Sequence, residues 1–227
     1  MEELFQDLSN NLTLKDKAYL SVRELIISGK IKPGTRLPEE ELSKQMNISR
    51  APIREALNML EREGFTAIIP RRGAIVTEVT WELVQDVWEM RVLLEPYAAR
   101  ASIHMITDAE IDQIDCLVQR TIKHPDDINS YIECDLQLHA LLNKHVSNRY
   151  LKDYISTTAS HSLRVRYVSE YNSNLSSGAV RDVYQEHTAI IAALRARDGD
   201  RLYSNVLQHI SNSLRRCQQA LEGENIK

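Results

Sequence analysis

The sequence predicts a mainly α-helical protein: an N-terminal winged helix-turn-helix followed by an all-helical antiparallel bundle. Two observations carry that expectation. Residues 13–80 run helix, turn, short helix, capped helix and β-rich hairpin, whereas from Thr80 onward apolar residues recur at helical spacing with almost no strand signal. Charge divides at the same place. The whole chain stands at -4, but residues 13–80 hold 12 Lys/Arg against 9 Asp/Glu and residues 81–227 hold 16 against 20. Any nucleic-acid contact therefore belongs to the first part.

Length and composition set the frame. At 227 residues and 43% hydrophobic content the chain can bury two modest cores. We divide it into a flexible arm over 1–12, a first domain over 13–80 and a second over 81–227. The start MEELFQDLSN carries acid where a signal peptide carries basic residues, and apolar runs such as Ala189 to Leu194 are too short to span a membrane. A cytoplasmic protein with no membrane partner is expected. Three widely spaced cysteines, Cys116, Cys134 and Cys217, fit neither a disulfide framework nor a CxxC site, and read as packing residues.

The first helix is read from Leu14 to Ser28, where Ala18, Val22, Leu25 and Ile26 share a face and Gly29 supplies the stop. After the turn Lys32-Pro33-Gly34 a short helix runs from about Pro38 to Met46. Ser49 then N-caps a third helix reaching Glu63, and Gly64 closes it. In FTAIIPRRGAIVTEV two β-rich runs flank Pro70-Arg71-Arg72-Gly73, a hairpin with a basic tip. Beyond it, helices are expected near 81–104, 107–123, 127–146, 149–171, 180–197 and 199–221. Thr107 to Glu110 forms a capping box, and Ser176-Ser177-Gly178 reads as a loop.

On the third helix Ile53, Ala56, Leu57 and Leu60 take the core side, leaving Arg50 and Arg54 one turn apart on an outward face near the N-terminus. A recognition helix presents that end to base edges. Two guanidinium groups there can bond guanine O6 and N7 or clamp phosphates, with Ser49 on the backbone. Arg71, Arg72 and Gly73 at the hairpin tip are placed for an adjacent minor groove or phosphates.

The stretch from Val22 to Val76 resembles the DNA-binding domain of the GntR family of bacterial regulators. The match is carried by Pro33-Gly34-x-x-Leu37, by Glu40 and Leu42, and by Ser49-Arg50-x-Pro52-Ile53-Arg54-Glu55-Ala56-Leu57. Leu60, Glu63-Gly64 and Arg72-Gly73-x-x-Val76 complete it. The resemblance implies that Arg50 and Arg54 contact double-stranded operator DNA and that Gly73 approaches the minor groove. Glu39-Glu40-Glu41 departs from members that place an arginine on the second helix for DNA contact, so the operator sequence does not follow from it.

In the second domain polar residues are threaded into apolar stripes. Ile128, Ile132, Asp135, His139, Leu142 and Val146 share one face; Val183, His187, Ile191 and Leu194 share another. Leu202, Val206, His209 and Ser213 repeat the pattern, as do Val84, Trp88, Arg91, Glu95 and Ala98. A buried charge or imidazole is costly unless partnered, so these groups must satisfy one another or a guest. A metal ion is an economical guest: Asp135 and His139 at i, i+4 give two ligands, and His187 and His209 complete the set. Three imidazoles, one carboxylate and no thiolate suit Zn²⁺ first, then Ni²⁺, Co²⁺ or Mn²⁺, with open positions for water or a ligand carboxylate. His104, His124, His145 and His161 lack this pattern and read as structural or surface residues, with His161 a possible cavity liner.

Two rival readings stay open at this level. A His3Asp site with open positions could activate water in a metalloenzyme, although the candidate acid-base Glu95 has Arg91 a turn away to pair with it. Alternatively the bundle only dimerises, and the His and Asp groups form a buried hydrogen-bonded cluster.

The region from about Leu83 to Leu221 also resembles the helical FCD effector domain of the FadR-type GntR subfamily. The resemblance rests on Arg91-Val92-Leu93-Leu94-Glu95, Asp135-x3-His139, His187 and His209, in matching order. It implies that Asp135, His139, His187 and His209 hold a metal, that Arg91 faces the effector pocket, and that the effector is a small organic acid. The combined expectation is a homodimeric repressor, not an enzyme, reading a two-fold symmetric operator. Its operator affinity would respond to a carboxylate ligand on the metal.

Overall fold

The computed structural model describes residues 12–169 and 177–223. The expected arm over 1–12 lies, but for residue 12, outside the described residues. The chain divides into two compact units at Thr80 and Trp81.

In the first unit α1 (Leu14–Ile27) begins at Thr13, whose side chain accepts from the Asp16 amide. It buries Ala18, Val22, Leu25 and Ile26. β1 (Arg36–Leu37) leads into α2 (Glu39–Met46), and α3 (Arg50–Arg62) buries Ile53, Ala56, Leu57 and Leu60. Both α1 and α2 pack against α3. β2 (Thr66–Ile69) and β3 (Gly73–Val76) form the hairpin, and the sheet order is β1-β3-β2, all antiparallel. At two residues β1 is too short to show a period in sequence; only its pairing of Arg36 with Ile75 and Leu37 with Ala74 makes it a strand. The hairpin tip turns through Arg71 at φ 65 and Gly73 at φ 81, a left-handed path that glycine adopts without strain.

Ser49 occupies the N-cap of α3 with extended backbone, but its side chain makes no capping bond. Pro52 explains why. A capping hydroxyl bonds the amide of N2 or N3, and Pro52 at N3 has no N–H to offer.

The second unit holds α4 (Trp81–Ser102), α5 (Asp108–Lys123), α6 (Ile128–Asn143), α7 (Arg149–Ser169), α8 (Ser177–Arg195) and α9 (Gly199–Gly223). Thr107 and Glu110 make the expected capping box. The expected loop at 176–178 is corrected: Ser177 and Gly178 open α8, and Ser176 lies outside the described residues. α4 packs against α9, α7 and α6, while α8 packs against α5 and α9. The stripes point where their spacing predicts, with Trp88, Leu142, Leu194, Leu202 and Val206 all fully buried beside the polar members; Val146 is corrected, because α6 ends at Asn143 and leaves Val146 half-buried beyond the helix. Ile128 has no described side chain. Cys134 and Cys217 are buried as packing residues, but Cys116 is exposed, because it falls off the Ile111, Ile114, Val118 face of α5.

Candidate functional site

Four helices of the second unit bring Asp135 and His139 (α6), His187 (α8) and His209 (α9) together with Arg91 and Glu95 (α4); all six are buried. Asp135 Oδ1 lies 3.3 Å from both His187 Nε2 and His209 Nε2. His139 Nε2 lies 3.2 Å from His209 Nε2 and 3.5 Å from Asp135 Oδ2. These are the separations that neighbouring donors keep around a cation bound at ~2.1 Å.

The far nitrogen of each ring determines which face carries a lone pair. Glu95 Oε2 sits 2.5 Å from His139 Nδ1, and Glu186 Oε2 accepts from His209 Nδ1 at 2.7 Å. Cys134 Sγ stands 3.9 Å from His187 Nδ1. Arg91 Nη2 donates to His139 Nε2 at 3.1 Å, and a guanidinium cannot accept, so that His139 nitrogen carries a lone pair. It faces a second imidazole nitrogen and a carboxylate. Such an arrangement of acceptors closes in one of two ways: a proton on His209 Nε2, or a cation among them. The donor set therefore fits a divalent transition metal, with Asp135, His187 and His209 mutually within 4.8 Å and His139 beside them.

Electrostatics divide the three imidazoles: two are kept neutral, as metal ligands must be, and the third is biased toward its charged form. Burial drives the His187 pKa down to about 4 against the pull of Asp135, and burial also lowers His139 despite Glu95 and Asp135. His209 is also desolvated, yet bonds to Asp135 and Glu186 outweigh burial and raise it. Burial disfavours charge on Asp135, but Arg166 and His139 hold its carboxyl well below the usual range.

Beside the cluster a cavity of about 600 Å³ opens between α4, α6 and α7. Arg91, Glu95, Asp135, His139 and Arg166 form its inner wall, and Lys144 and Lys152 also line it. That volume suits a small molecule. Arg91 does face the cavity, but it is engaged: Nε donates to Glu95 Oε1 at 2.6 Å and Nη1 to Ser162 Oγ at 2.9 Å. Its guanidinium stands 5.1 Å over the Trp88 ring. The Arg91–Glu95 pairing uses the carboxylate that a hydrolytic reading would have needed as acid or base. His161 is buried on α7 but does not line the cavity; His104 and His124 are exposed.

Two central partners escape sequence reasoning. Arg166 of α7 bonds Asp135 Oδ2, and Glu186 of α8 ties His209 to Arg216 at 2.9 and 3.0 Å. A signal existed for Arg166. The buried face of α7 runs Ile155, Thr158, Ser162, Val165, Arg166, but its hydroxyl residues make the apolar period faint. Glu186 carries none, being one residue before His187 and hence turned to another face.

In the first unit Arg50 and Arg54 project from the exposed face of α3, with side chains 59% and 65% accessible. They are not bare. Arg54 makes a two-pronged bond to Glu39, Nε to Oε1 and Nη2 to Oε2, each 2.8 Å, and Arg50 Nη2 meets Glu40 Oε2 at 2.8 Å. Ser49 is exposed next to them. Arg71, Arg72 and Gly73 are exposed at the hairpin tip, where the Arg72 carbonyl accepts from Arg36 Nη2 at 2.8 Å.

Comparison with known proteins places both units. Residues 14–76 match the bacterial regulatory proteins of the gntR family, and residues 86–212 match the FCD domain. The HTH-type transcriptional repressor RspR of Escherichia coli K12 is 31% identical over 211 residues, covering 91% of each chain. The galactonate operon transcriptional repressor of the same organism is 28% identical, covering 92% of this chain and 98% of that protein. Among solved structures, E. coli McbR/YncC superposes with a TM-score of 0.76 at 18% identity, covering 92% of this chain and 98% of that one. A putative GntR regulator from Rhodococcus sp. RHA1 gives 0.72 at 18%, over 91% and 98%. At that identity the structural likeness concerns the fold.

Proposed function

From the premise that the chain belongs to the GntR family, as a DNA-binding transcription regulator carrying an FCD domain and not an enzyme, we propose a metal-dependent, ligand-controlled repressor. Asp135, His139, His187 and His209 hold one divalent transition metal, Zn²⁺ first and Ni²⁺, Co²⁺ or Mn²⁺ as alternatives. A small carboxylate would occupy the 600 Å³ cavity, whose wall includes Arg91, Asp135 and His139. Bound metal supplies a Lewis-acidic anchor for that carboxylate; Arg91 orients it through charge-assisted hydrogen bonds.

One observation carries the metal reading. Each of the three imidazoles turns Nε2 toward Asp135 or another ring of the cluster, while its Nδ1 faces a group outside the set: Glu95, Cys134 or Glu186. Partners at the far nitrogen are how proteins orient metal-binding histidines. Relatives that are repressors support the sign of regulation.

The protein acts as a cytoplasmic homodimer on a two-fold symmetric operator, with Ser49, Arg50, Arg54, Arg71, Arg72 and Gly73 against DNA. No helix among the described residues is long and apolar enough to cross a membrane. Ligand shifts operator affinity only in so far as it prefers one arrangement of the dimer over another.

Elemental analysis and native mass spectrometry of the purified protein test this. One metal per chain and a dimeric mass are expected, with metal lost in His187→Ala and His209→Ala. A metal-free cluster that keeps its stability unchanged on adding Zn²⁺ or Ni²⁺ would favour a purely hydrogen-bonded core, with His209 as the imidazolium. A gel shift across a panel of carboxylates then tests control, and operator affinity indifferent to all of them on metal-loaded protein would remove it.

A further inference from the structure

Arg54 and Glu39 are joined in a particular way. The carboxylate occupies the side edge of the guanidinium, taking Nε and Nη2 at 2.8 Å each. That leaves the end edge, Nη1 and the second hydrogen of Nη2, with no partner among the described residues. The end edge presents two parallel N–H groups at the spacing of guanine O6 and N7. A side-on carboxylate and an end-on base can therefore occupy one guanidinium together.

Arg50 is held differently. It has a single bond to Glu40, which also binds Lys44 at 3.0 Å, so its fork is not fixed by two prongs. A guanidinium fixed in one plane has already lost the rotamer freedom that base reading removes, whereas one held at a single point can follow a phosphate.

We infer that Glu39 is a positioning residue for base reading: it fixes Arg54 to present its end edge to a guanine, while Arg50 serves mainly as a phosphate contact. This rests on the DNA-reading assignment above. The acidic side chain near the phosphates also disfavours binding wherever Arg54 finds no guanine, so Glu39 contributes to discrimination more than to affinity.

A simpler account is that Glu39, Glu40 and Glu41 stabilise α2 through its N-terminal dipole, as acidic residues in a first turn do. Glu41 separates the two accounts. It sits in the same turn with the same charge, but its carboxylate accepts from Gln45 Nε2 at 3.3 Å and meets no guanidinium among the described residues.

The experiment uses the full-length dimer. A duplex is selected from a random-sequence pool, its base pairs are varied singly, and the guanine whose preference disappears in Arg54→Ala is identified by fluorescence anisotropy. In Glu39→Gln that preference should fall roughly fivefold to tenfold, with affinity for random-sequence duplex undiminished. Glu41→Gln should leave the preference intact. In an Arg54→Ala background, Glu39→Gln should leave base preference unchanged. Equal effects of Glu39→Gln and Glu41→Gln on every duplex, or a Glu39→Gln effect on discrimination at any base pair as large in the Arg54→Ala background as in the parent, would overturn the inference. A pool that yields no enriched duplex overturns the DNA-reading assignment itself, and this inference with it.

Discussion

Both units pair guanidinium with carboxylate, and the two do opposite things with the pairing. On α3 the Arg54–Glu39 and Arg50–Glu40 pairs stand in water, where each contributes little to stability. Inside the second unit the Arg91–Glu95 and Arg166–Asp135 pairs are almost wholly shielded, with side-chain exposures of 2% to 4%. There, removing one member leaves an uncompensated charge in a medium that cannot solvate it. The lesson is that dielectric surroundings decide the role of a pair. Exposed pairs leave their arginines accessible to solvent, and buried pairs lock their members into one arrangement.

That contrast is broken most directly at Asp135, which serves Arg166, His187 and His209 at once. Asp135→Ala should cost about 3–5 kcal/mol, read as a fall in the urea midpoint at unchanged m, together with loss of bound metal. A cost below ~1 kcal/mol would show that the cluster is not the electrostatic keystone described. Next in size is the metal itself. Stripping it with a chelator should lower stability by about 2.7 kcal/mol if free metal stood at a hundred times its Kd, and re-addition should restore the melting temperature. The same treatment of His187→Ala/His209→Ala should do nothing.

Away from both sites, Thr107→Ala removes the α5 capping box and should cost ~1 kcal/mol without changing metal content or DNA affinity. Its carboxylate partner adds a pH signature. Bonds from Lys144, then from the Thr107 backbone and hydroxyl, hold Glu110 down at about 2. A depressed carboxylate stabilises the fold above its unfolded value near 4.5 and loses that contribution as pH falls toward 2. Urea midpoints between pH 5 and 2.5 should therefore drop less steeply in Glu110→Gln than in the parent.

The smallest stability effect belongs to Arg54→Ala, expected within ~0.5 kcal/mol, although operator binding should weaken and preference at one guanine should relax, while the flatter dependence of log K on log salt, by up to ~1, is expected of Arg50→Ala. A large loss of melting temperature in Arg54→Ala would mean that the exposed pair is structural after all.

The DNA-reading half was legible because its information is local. Helix stops at Gly29 and Gly64, a capped recognition helix and a Pro-Arg-Arg-Gly tip each follow from a few neighbouring residues. The two-residue β1, the missing Ser49 capping bond and the Arg54–Glu39 pairing escaped, the first because it is too short for a period. The metal-binding candidates were legible for a related reason: His or Asp set into a strong apolar period is visible without knowing what faces it. Arg166 and Glu186 were not, since the first lies on a hydroxyl-rich face and the second off its helix's stripe.

By itself, then, the amino-acid order determined the helices, their buried faces and which polar groups had to be satisfied inside, because periodicity is a property of one helix at a time. Which partner satisfies each group was decided only when five helices met. Spacing along a chain cannot place Glu186 of α8 against His209 of α9, nor turn the side edge of Arg54 toward Glu39. Those choices depend on distances between elements, and such distances exist only in the folded protein.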